Sequence, residues 1–428
     1  MSYGYPSAMA RVVVVGGGFA GMAAAARLAK LRHEVTLLEQ GEELGGRLRD
    51  IVLGTGRWPV CPDTMTMPGV VRDLFRKSGR PLDAVLELEI TTGRRHVFDD
   101  RTVLDLPMGR RSDQHDAIRD LLGSDPWSPW LDTMSETWEV LRRRTVHRLP
   151  TGAGDLSRDD RALLRARRSL RREVRSRFKD DRLRALVLDP VRLAGDDDRV
   201  TPAFTAVDHY LERTFGRWRV VGGMPALADA LTRRLVERKV TTRLGERATG
   251  VETGPGGTVA RVVTDGGTLE TDHVVWAAGR WPQPLAAPRL LPRIPAARTL
   301  VRLGPDAPGM PRDVMAHTDP PLHLWSDGSD CWTIAHHNAE DPLVALARVG
   351  LDLREHVEER HDLSPSDLVR AGHWGWQWRG WRSQVDRPSR PGPEGLFMVG
   401  AHAHPGSSLE LVGLAAEAVA EHLGPVPR

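Results

Sequence analysis

Residues 11–40, RVVVVGGGFAGMAAAARLAKLRHEVTLLEQ, form the stretch of sequence that decides the fold. The β-branched run at 11–15 is typical of a buried parallel strand. The alanine-rich segment after the glycines favours a helix, and the apolar segment 33–40 predicts a second strand that ends at Glu39. This order of elements indicates a strand–turn–helix–strand unit of an α/β fold.

The glycines of the turn have the GxGxxG spacing of dinucleotide-binding folds. In this pattern Gly16 permits the tight turn, Gly18 lets the backbone approach a pyrophosphate, and Gly21 lets the helix pack on the strand. The N–H groups at the helix N-terminus would hold the phosphates, and Glu39 is placed to bind a ribose diol. An unrelated glycine turn would not require the strand, the helix and the acid around it.

Three further segments extend this unit. Residues 44–49, LGGRLR, offer a second glycine-lined backbone and an arginine that can pair with phosphate. Residues 219–279 predict a helix and a hairpin-like set of strands that complete the nucleotide-binding domain. Residues 395–424 predict a short strand, a loop and a helix. A nucleotide unit completed by the C-terminal segment means that the domain is discontinuous in sequence.

Composition excludes several classes of protein. The 428 residues are 40% hydrophobic and carry a net charge of only +3, which argues against a disordered chain and against nucleic acid as a partner. Cys61 and Cys331 are far apart, so we expect no disulfide scaffold and a cytoplasmic location. No run of about 20 apolar residues indicates a membrane span, and no histidine spacing indicates a metal site.

The chain resembles the superfamily of FAD-dependent amine oxidases and phytoene desaturases, nearest to bacterial phytoene-dehydrogenase-like oxidoreductases. The resemblance lies in residues 12–49, 64–79, 222–231, 273–279 and 399–424. It implies FAD as the cofactor, and an α/β fold in which a discontinuous Rossmann-like FAD-binding domain, a parallel sheet with helices, is joined to a mixed α+β substrate domain. The FAD-binding domain is expected at 1–81, 211–294 and 386–428, and the substrate domain at 82–210 and 295–385.

The resemblance also implies the residues that bind the cofactor. Those expected at the adenosine and diphosphate are Gly16, Gly18, Phe19, Ala20, Gly21, Glu39, Gly45, Gly46, Arg47 and Ala248. Those expected nearer the flavin ring are Gly400, Ala401, Leu411 and Val412, with the segment Thr64–Pro68 close by. Residues Leu411, Val412 and Gly413 would start a helix whose N-terminus stabilises negative charge on the flavin.

Three positions depart from the family pattern where the flavin is expected. Ala401 stands in place of an aspartate, residues 59–62 read PVCP in place of Asp-x-Gly-Pro, and Glu410 stands in place of a proline. These departures leave open an alternative function, a cyclase or isomerase without net redox change. In that case Glu410 is the candidate catalytic acid or base. His404, in a loop expected near the flavin, is either an acid or base or a structural or exposed residue.

The inserted segments are expected to bind a small-molecule substrate. Trp374, Trp376 and Trp378 alternate, so on a strand they would share one face and form either a flat cavity wall or a packed core. Cys61 is a candidate pocket residue, either a reactive thiol or a small buried hydrophobe. In the arginine-rich stretch 161–188, residues Leu163, Leu170, Val174 and Phe178 predict one helical stripe.

That stripe has two interpretations. It could pack inward beneath a solvated basic face, which is the simpler one, or it could give peripheral contact with an anionic membrane. The sequence leaves oligomeric state open.

The function expected from these observations is hydride removal from a C–H bond of an apolar or amine-bearing small molecule, within isoprenoid or other secondary metabolism. The sequence has no second GxGxxG unit that would indicate an NAD(P)H domain, so we expect oxygen, a quinone or a protein partner to reoxidise the flavin. Besides the cyclase or isomerase alternative, a non-catalytic, membrane-associated isoprenoid binder also remains open.

Overall fold

The computed structural model describes residues 9–145, 149, 153–285, 291–373, 375–387, 389–390 and 392–427. The α-helices are α1 (Phe19–Lys30), α2 (Pro68–Ser78), α3 (Arg111–Leu122), α4 (Trp127–Asp132), α5 (Met134–Thr145), α6 (Arg158–Leu163), α7 (Leu170–Arg177), α8 (Asp181–Leu193), α9 (Val207–Phe215), α10 (Gly223–Glu237), α11 (Pro342–Arg348), α12 (Pro365–Arg370), α13 (Gly380–Val385) and α14 (Leu409–Leu423).

The β-strands are β1 (Arg11–Val15), β2 (Glu34–Leu38), β3 (Asp50–Leu53), β4 (Gly56–Pro59), β5 (Thr64–Met65), β6 (Leu88–Ile90), β7 (Gly93–Phe98), β8 (Val103–Pro107), β9 (Trp218–Val220), β10 (Thr241–Arg243), β11 (Ala248–Thr253), β12 (Val259–Thr264), β13 (Gly267–Glu270), β14 (His273–Trp276), β15 (Leu291–Arg293), β16 (Ala297–Leu303), β17 (Asp313–His317), β18 (Leu322–Trp325), β19 (Cys331–His336), β20 (Val357–Leu363), β21 (Gly375–Gln377) and β22 (Leu396–Met398).

A five-stranded parallel sheet carries the glycine-rich turn. Its order is β10-β2-β1-β14-β22, and every neighbouring pair is parallel. Val12 and Val14 pack into the core on one face, while Val13 and Val15 pack into a second core on the other. A parallel sheet covered on both faces needs such an unbroken apolar run. The predicted strand–turn–helix–strand unit and its α/β class are confirmed.

The two ends of the chain meet in this sheet. β22 pairs with β14, which in turn pairs with β1, and α14 packs along α1. Buried alanines, including Ala24 of α1 and Ala416 of α14, allow the two helices to lie close together. The prediction that the C-terminal segment completes the N-terminal nucleotide unit is therefore confirmed.

The second large sheet is a seven-stranded mixed sheet. Its order is β20-β16-β19-β18-β17-β7-β8, which unites strands from two separate stretches of the chain. One face buries residues such as Val314 and Ile334 in a core that includes Leu346 of α11. Because side chains alternate along strands, the other face carries a different set, including Arg298 and His323. This second, polar face lines the site described below.

The predicted single stripe across 161–188 is wrong in its helical arrangement. Three separate helices, α6, α7 and α8, cover this region, because the side chains of Ser169 and Asp180 each cap a new helix. Leu163 at the end of α6 is 42% exposed, whereas Leu170, Val174 and Phe178 are buried in one core. The inward-packed interpretation holds for those three residues. None of the helices in the described ranges is long and apolar enough to cross a bilayer.

Candidate active site

The glycine-rich turn leaves an open cradle at the start of α1. Gly16 has a φ of +104°, which favours glycine, and a Cβ added at Gly21 would lie 1.9 Å from the carbonyl oxygen of Gly16. At Gly18, the residue before the helix, an added Cβ would meet nothing within 4 Å. Two glycines thus build the turn, and Gly18 faces free space beside the helix N-terminus, where an anion is stabilised.

The second glycine loop lies directly against this turn. The N–H of Gly45 donates to the carbonyl oxygen of Gly17 at 2.9 Å, and Gly18 and Gly45 form an isolated parallel bridge. A Cβ at Gly46 would lie 3.2 Å from the Cα of Gly18. The next residue, Arg47, is exposed and lines the neighbouring cavity. The two predicted phosphate-binding segments are therefore in contact.

Glu39 lies at the other side of the turn, at the end of β2. Its Oε2 accepts a hydrogen bond from the N–H of Gly17 at 2.6 Å, and its Oε1 accepts one from Gly41 at 2.8 Å. Both oxygens keep further lone pairs for a ligand. The N–H of Glu246 donates to the carbonyl oxygen of Glu39 at 3.0 Å, which brings the start of β11 and Ala248 to this end of the groove.

The C-terminal loop closes the opposite end of the groove. Gly400 has a φ of +96°, and a Cβ there would lie 3.5 Å from the Cβ of Ala20 at the start of α1. Phe19 and Ala20 are buried. The helix α14 begins at Leu409 rather than at Leu411, and the Ser408 side chain caps it by accepting from the N–H of Leu411 at 3.3 Å.

Val412, the residue after Leu411 on helix α14, is buried. Leu411, Val412 and Gly413 therefore lie in the first turns of the helix.

A cavity of about 360 Å³ adjoins this groove. Of the predicted pocket and cofactor residues, those that line it are Arg47, Cys61, Trp376, Trp378 and Ala401. Trp376 belongs to the short strand β21 and Trp378 follows it, so among the described residues of the predicted tryptophan strand Gly375–Gln377 form the strand. Trp374 lies outside the described residues. The seven-stranded sheet forms the opposite wall, with Arg94, Arg298, Met315, His323 and Trp325.

A buried ionic network supports that wall. Asp313 accepts hydrogen bonds from Arg94 at 2.8 Å, from Arg217 at 2.6 Å and from His323 at 2.9 Å. Burial opposes the charge on Asp313, but Arg217 and Arg94 hold the pKa of its carboxyl well below the usual value. Because Arg94 and His323 lie on strands β7 and β18 of the sheet that carries Asp313, the network orients both side chains toward the cavity.

Two other cavity arginines have no carboxylate partner in the described part of the chain. Arg298 stacks over Trp325 with its guanidinium carbon 5.1 Å from the ring, and Arg387 stacks over Trp378 at 5.2 Å. Burial lowers the pKa of Arg298 to about 10, with help from Arg47, and burial lowers the pKa of Arg387 to about 10. Neither arginine was predicted, because each comes from a segment without a motif and meets the site only through the fold.

The two candidate catalytic residues do not line this cavity. The Oε1 of Glu410 accepts hydrogen bonds from the backbone N–H groups of Thr66 and Met67, just before α2, and Glu410 is only 4% exposed. His404 is 8% exposed, and burial, with nearby Arg144, lowers its pKa to about 3, so its ring is neutral. Glu410 thus ties the Thr64–Pro68 segment to α14, a structural function that the sequence did not indicate.

Asp208 is a candidate acid or base that the sequence analysis missed. The residue keeps accessible surface, although the surrounding protein and nearby carboxylates disfavour its charged form. Burial raises its pKa to about 7, with further contributions from the carboxylates of Glu212 and Glu410. A carboxyl with this pKa exchanges protons near neutral pH. Its sequence context, a short polar helix, gave no signal for it.

The geometry of the groove fits FAD. The open space at Gly18 accommodates a pyrophosphate that an added Cβ would obstruct. Gly18, Gly46 and Arg47 would hold the diphosphate, and Glu39 would hold the ribose. Ala401 supplies no side-chain hydrogen bond where the family has an aspartate, so the remaining contacts must hold the flavin end.

Comparisons with known proteins agree with this geometry. Residues 19–309, more than half of the chain, match the protein family described as flavin containing amine oxidoreductase. The chain is 31% identical over 277 residues to hydroxyneurosporene desaturase of Cereibacter sphaeroides, which covers 62% of this chain and 55% of the relative. It is 29% identical over 335 residues to phytoene dehydrogenase of Streptomyces griseus, which covers 76% and 62%. The chain spans about half the length of the curated relatives it matches.

Solved structures extend the comparison to the whole fold. A putrescine oxidase with redesigned cofactor binding has a TM-score of 0.65 at 14% identity, with 98% of this chain and 99% of that chain covered. Cyclohexylamine oxidase from Brevibacterium oxydans has a TM-score of 0.62 at 14% identity, with 97% and 98% covered. At such identities the likeness concerns the fold and carries no information about the substrate.

Proposed function

This chain belongs to the flavin-containing amine oxidoreductases, whose cofactor is FAD, and from that premise we propose that it removes a hydride from a C–H bond of a small organic substrate. The substrate would be oxidised to a C=C or C=N compound. The observation that carries the proposal is the meeting of the glycine-rich turn, the Arg47 loop and the C-terminal loop at one cavity. A cofactor in the groove would present its reactive ring to that cavity.

When bound, FAD supplies a two-electron acceptor for the hydride, while a proton leaves the substrate and an external acceptor such as oxygen or a quinone takes the electrons. The chain's own contribution is orientation, since a reacting carbon must lie roughly 3–3.5 Å from its acceptor. Trp376 and Trp378 offer flat apolar surface for the body of a substrate. No carboxylate lines the cavity in the described part of the chain, so the proton would pass to solvent.

The named relatives support a place in isoprenoid metabolism. Two relatives are named for the desaturation of hydroxyneurosporene and the dehydrogenation of phytoene, and as part of the proposal we take isoprenoids as a substrate class of this chain. The two-part organisation expected from the sequence is likewise proposed, with residues 1–81, 211–294 and 386–428 binding FAD and residues 82–210 and 295–385 binding substrate. The seven-stranded sheet supports it, because its strands come from those two inserts.

The proposal is tested by reconstitution and turnover. The purified protein is mixed with FAD, unbound FAD is removed, and visible absorbance gives the stoichiometry, which we expect to be one per chain. Candidate isoprenoids and amines are then mixed with the loaded protein without oxygen, and bleaching of the flavin reports hydride transfer. A protein that takes up no FAD would refute the proposal. Turnover with flavin absent, or held reduced, would instead favour a non-redox isomerase.

A further inference from the structure

The cavity is strongly cationic. Five arginines line it: Arg47, Arg94, Arg293, Arg298 and Arg387. No aspartate or glutamate lines the cavity among the described residues. The residues that lie outside the described ranges include neither aspartate nor glutamate. A cavity built only to hold an apolar chain, or an ammonium group, would not gather guanidinium groups, because burying each of them without a partner costs several kcal/mol.

Three of these arginines already have a partner or an expected one. Arg94 pairs with Asp313 at 2.8 Å, and Arg293 pairs with Asp196 at 2.6 Å. Arg47 adjoins the glycine turn, where the cofactor phosphate is expected. Arg298 donates hydrogen bonds to the backbone carbonyl oxygens of Ala296 and Ala297 at 3.2 and 3.4 Å. Arg298 and Arg387 remain without a carboxylate partner among the described residues, and Arg387 is the one of the two whose buried Nε also lacks a hydrogen-bond partner.

Arg387 is held in place but its charge is not neutralised. It is 8% exposed, its terminal nitrogen donates to Gln384 Oε1 at 2.6 Å, and its face lies on Trp378. Its buried Nε has no hydrogen-bond partner, and no carboxylate lies within ion-pair distance, among the described residues. Asp196 and Asp208 act on Arg387 electrostatically, but neither forms an ion pair with it, and Asp196 is paired with Arg293 at 2.6 Å.

The surroundings of Arg387 indicate what the missing partner is. The C-terminal loop lies next to it, since a Cβ at Gly406 would come within 3.5 Å of its Nη1, and Ala401 and Ser407 line the same cavity. The guanidinium is planar and binds carboxylate or phosphate in two-pronged fashion. Trp378 beneath it and Trp376 beside it supply apolar walls.

We propose that Arg387 binds an anionic group, a carboxylate or a phosphate, at one end of a substrate whose apolar body lies against the tryptophans. This inference rests on the proposed function, because it places the acid group at a fixed distance from the carbon that loses hydride. It narrows the substrate class to acids with an oxidisable apolar or amine-bearing body. An amine substrate would need an acid group as well, to offset repulsion by the arginines.

The test uses aromatic probes that differ in charge. The FAD-loaded protein is titrated with benzoate, phenyl phosphate, benzyl alcohol and benzylamine, and binding is followed by calorimetry and by the visible spectrum of the flavin. We expect either anion to bind at least about tenfold more tightly than the alcohol, and the amine to bind most weakly. The ratio of the two anions tells carboxylate from phosphate. Equal affinities for all four probes, or preference for the amine, would overturn the proposal.

Variants locate the effect. Arg387→Met should weaken anion binding by about 10- to 100-fold, the loss of one charge-assisted contact, while leaving benzyl alcohol binding unchanged. Arg387→Lys keeps the charge and should retain part of the affinity. Arg175→Met on the exposed face of α7 is the matched control and should bind like the wild type. Unchanged anion binding in Arg387→Met, or loss of FAD from it, would refute the assignment.

Failure of this inference is distinguishable from failure of the proposed function. FAD uptake is measured first, by absorbance, and does not depend on any probe. If the protein takes up no FAD, the proposed function fails, yet calorimetry on the cofactor-free protein still measures whether Arg387 binds benzoate. If FAD binds and the flavin is redox-active but the anions do not bind, only the inference about Arg387 is overturned.

Discussion

Gly18 provides the sharpest test of the cofactor groove, because its replacement separates binding from folding. A Cβ added at this position meets no protein atom within 4 Å, and the residue has a negative φ of −74°. Gly18→Ala should therefore leave the free energy of unfolding of the cofactor-free protein unchanged, or raise it by about 0.4–1 kcal/mol through the unfolded chain. The new methyl group would occupy the space beside the helix N-terminus that the pyrophosphate needs.

The expected loss of FAD affinity follows from the contacts displaced. A methyl group that holds the phosphate away from the α1 N-terminus removes at least one charge-assisted hydrogen bond, worth about 1.5–3 kcal/mol. That corresponds to a roughly 10- to 100-fold increase in Kd. Equilibrium dialysis gives the Kd, and thermal melting of the cofactor-free protein gives stability.

Two controls frame the result. At Gly309, on an exposed loop, an added Cβ also meets nothing within 4 Å, so Gly309→Ala should change neither quantity. At Gly21 the added Cβ would clash with the carbonyl oxygen of Gly16 at 1.9 Å, so Gly21→Ala should destabilise the fold itself. Wild-type FAD affinity in Gly18→Ala would refute the assignment of this cradle to the cofactor phosphate.

Three further predictions concern the ionisable groups. Glu410→Gln keeps an acceptor for the N–H groups before α2, so it should retain stability and turnover. Glu410→Ala leaves these buried donors unpaired and should lower the free energy of unfolding by about 1–3 kcal/mol for each unpaired N–H group. A Glu410→Gln protein that is stable and binds FAD but is inactive would contradict this prediction. His404 has a pKa lowered by burial to about 3 from 6.5, so stability falls as pH falls below 6.5, by about 2 kcal/mol at pH 5. Urea unfolding of His404→Gln should show a weaker fall than wild type or a His356→Gln control, and an equal fall would argue against a buried neutral ring. Burial raises the pKa of Asp208 to about 7 from 3.8, so the folded state loses stability relative to the unfolded chain as pH rises from about 4 toward 7. Asp208→Asn should therefore melt at a higher temperature than wild type at pH 8, with a smaller difference at pH 5. A lower melting temperature of the variant at both pH values would contradict the raised pKa.

The fold could be predicted from sequence to the extent that its signals are local. The β-branched run at 11–15, the glycine spacing and the alanine-rich helix are all contiguous, and each constrains its own backbone. The arginine-rich stretch was harder, because its helix breaks depend on where the Ser169 and Asp180 side chains cap, while a periodic stripe of apolar residues continues across the breaks.

The same distinction between local and non-local sequence signals applies to the candidate site. The cofactor groove was predictable, because glycines at fixed spacing report a backbone that must approach a ligand. The arginines were not, because Arg298 lies on a strand and Arg387 in a loop, each among many arginines of this chain, and only the fold brings them to one cavity. Nothing in the local sequence distinguishes a buried, unpaired guanidinium from a solvated one. Asp208 was missed for the same reason.

The departures from the family pattern are best understood together with that charge. The cofactor loop has Ala401 where the resemblance implies an aspartate, and Glu410 turns its carboxylate to the backbone before α2, so neither position places a negative charge in the cavity. The same cavity holds Arg298 and Arg387 without carboxylate partners among the described residues. An anionic substrate would be repelled by an aspartate at 401 and attracted by these arginines. Ala401, Glu410 and the two arginines are therefore all consistent with the anionic substrate group proposed above.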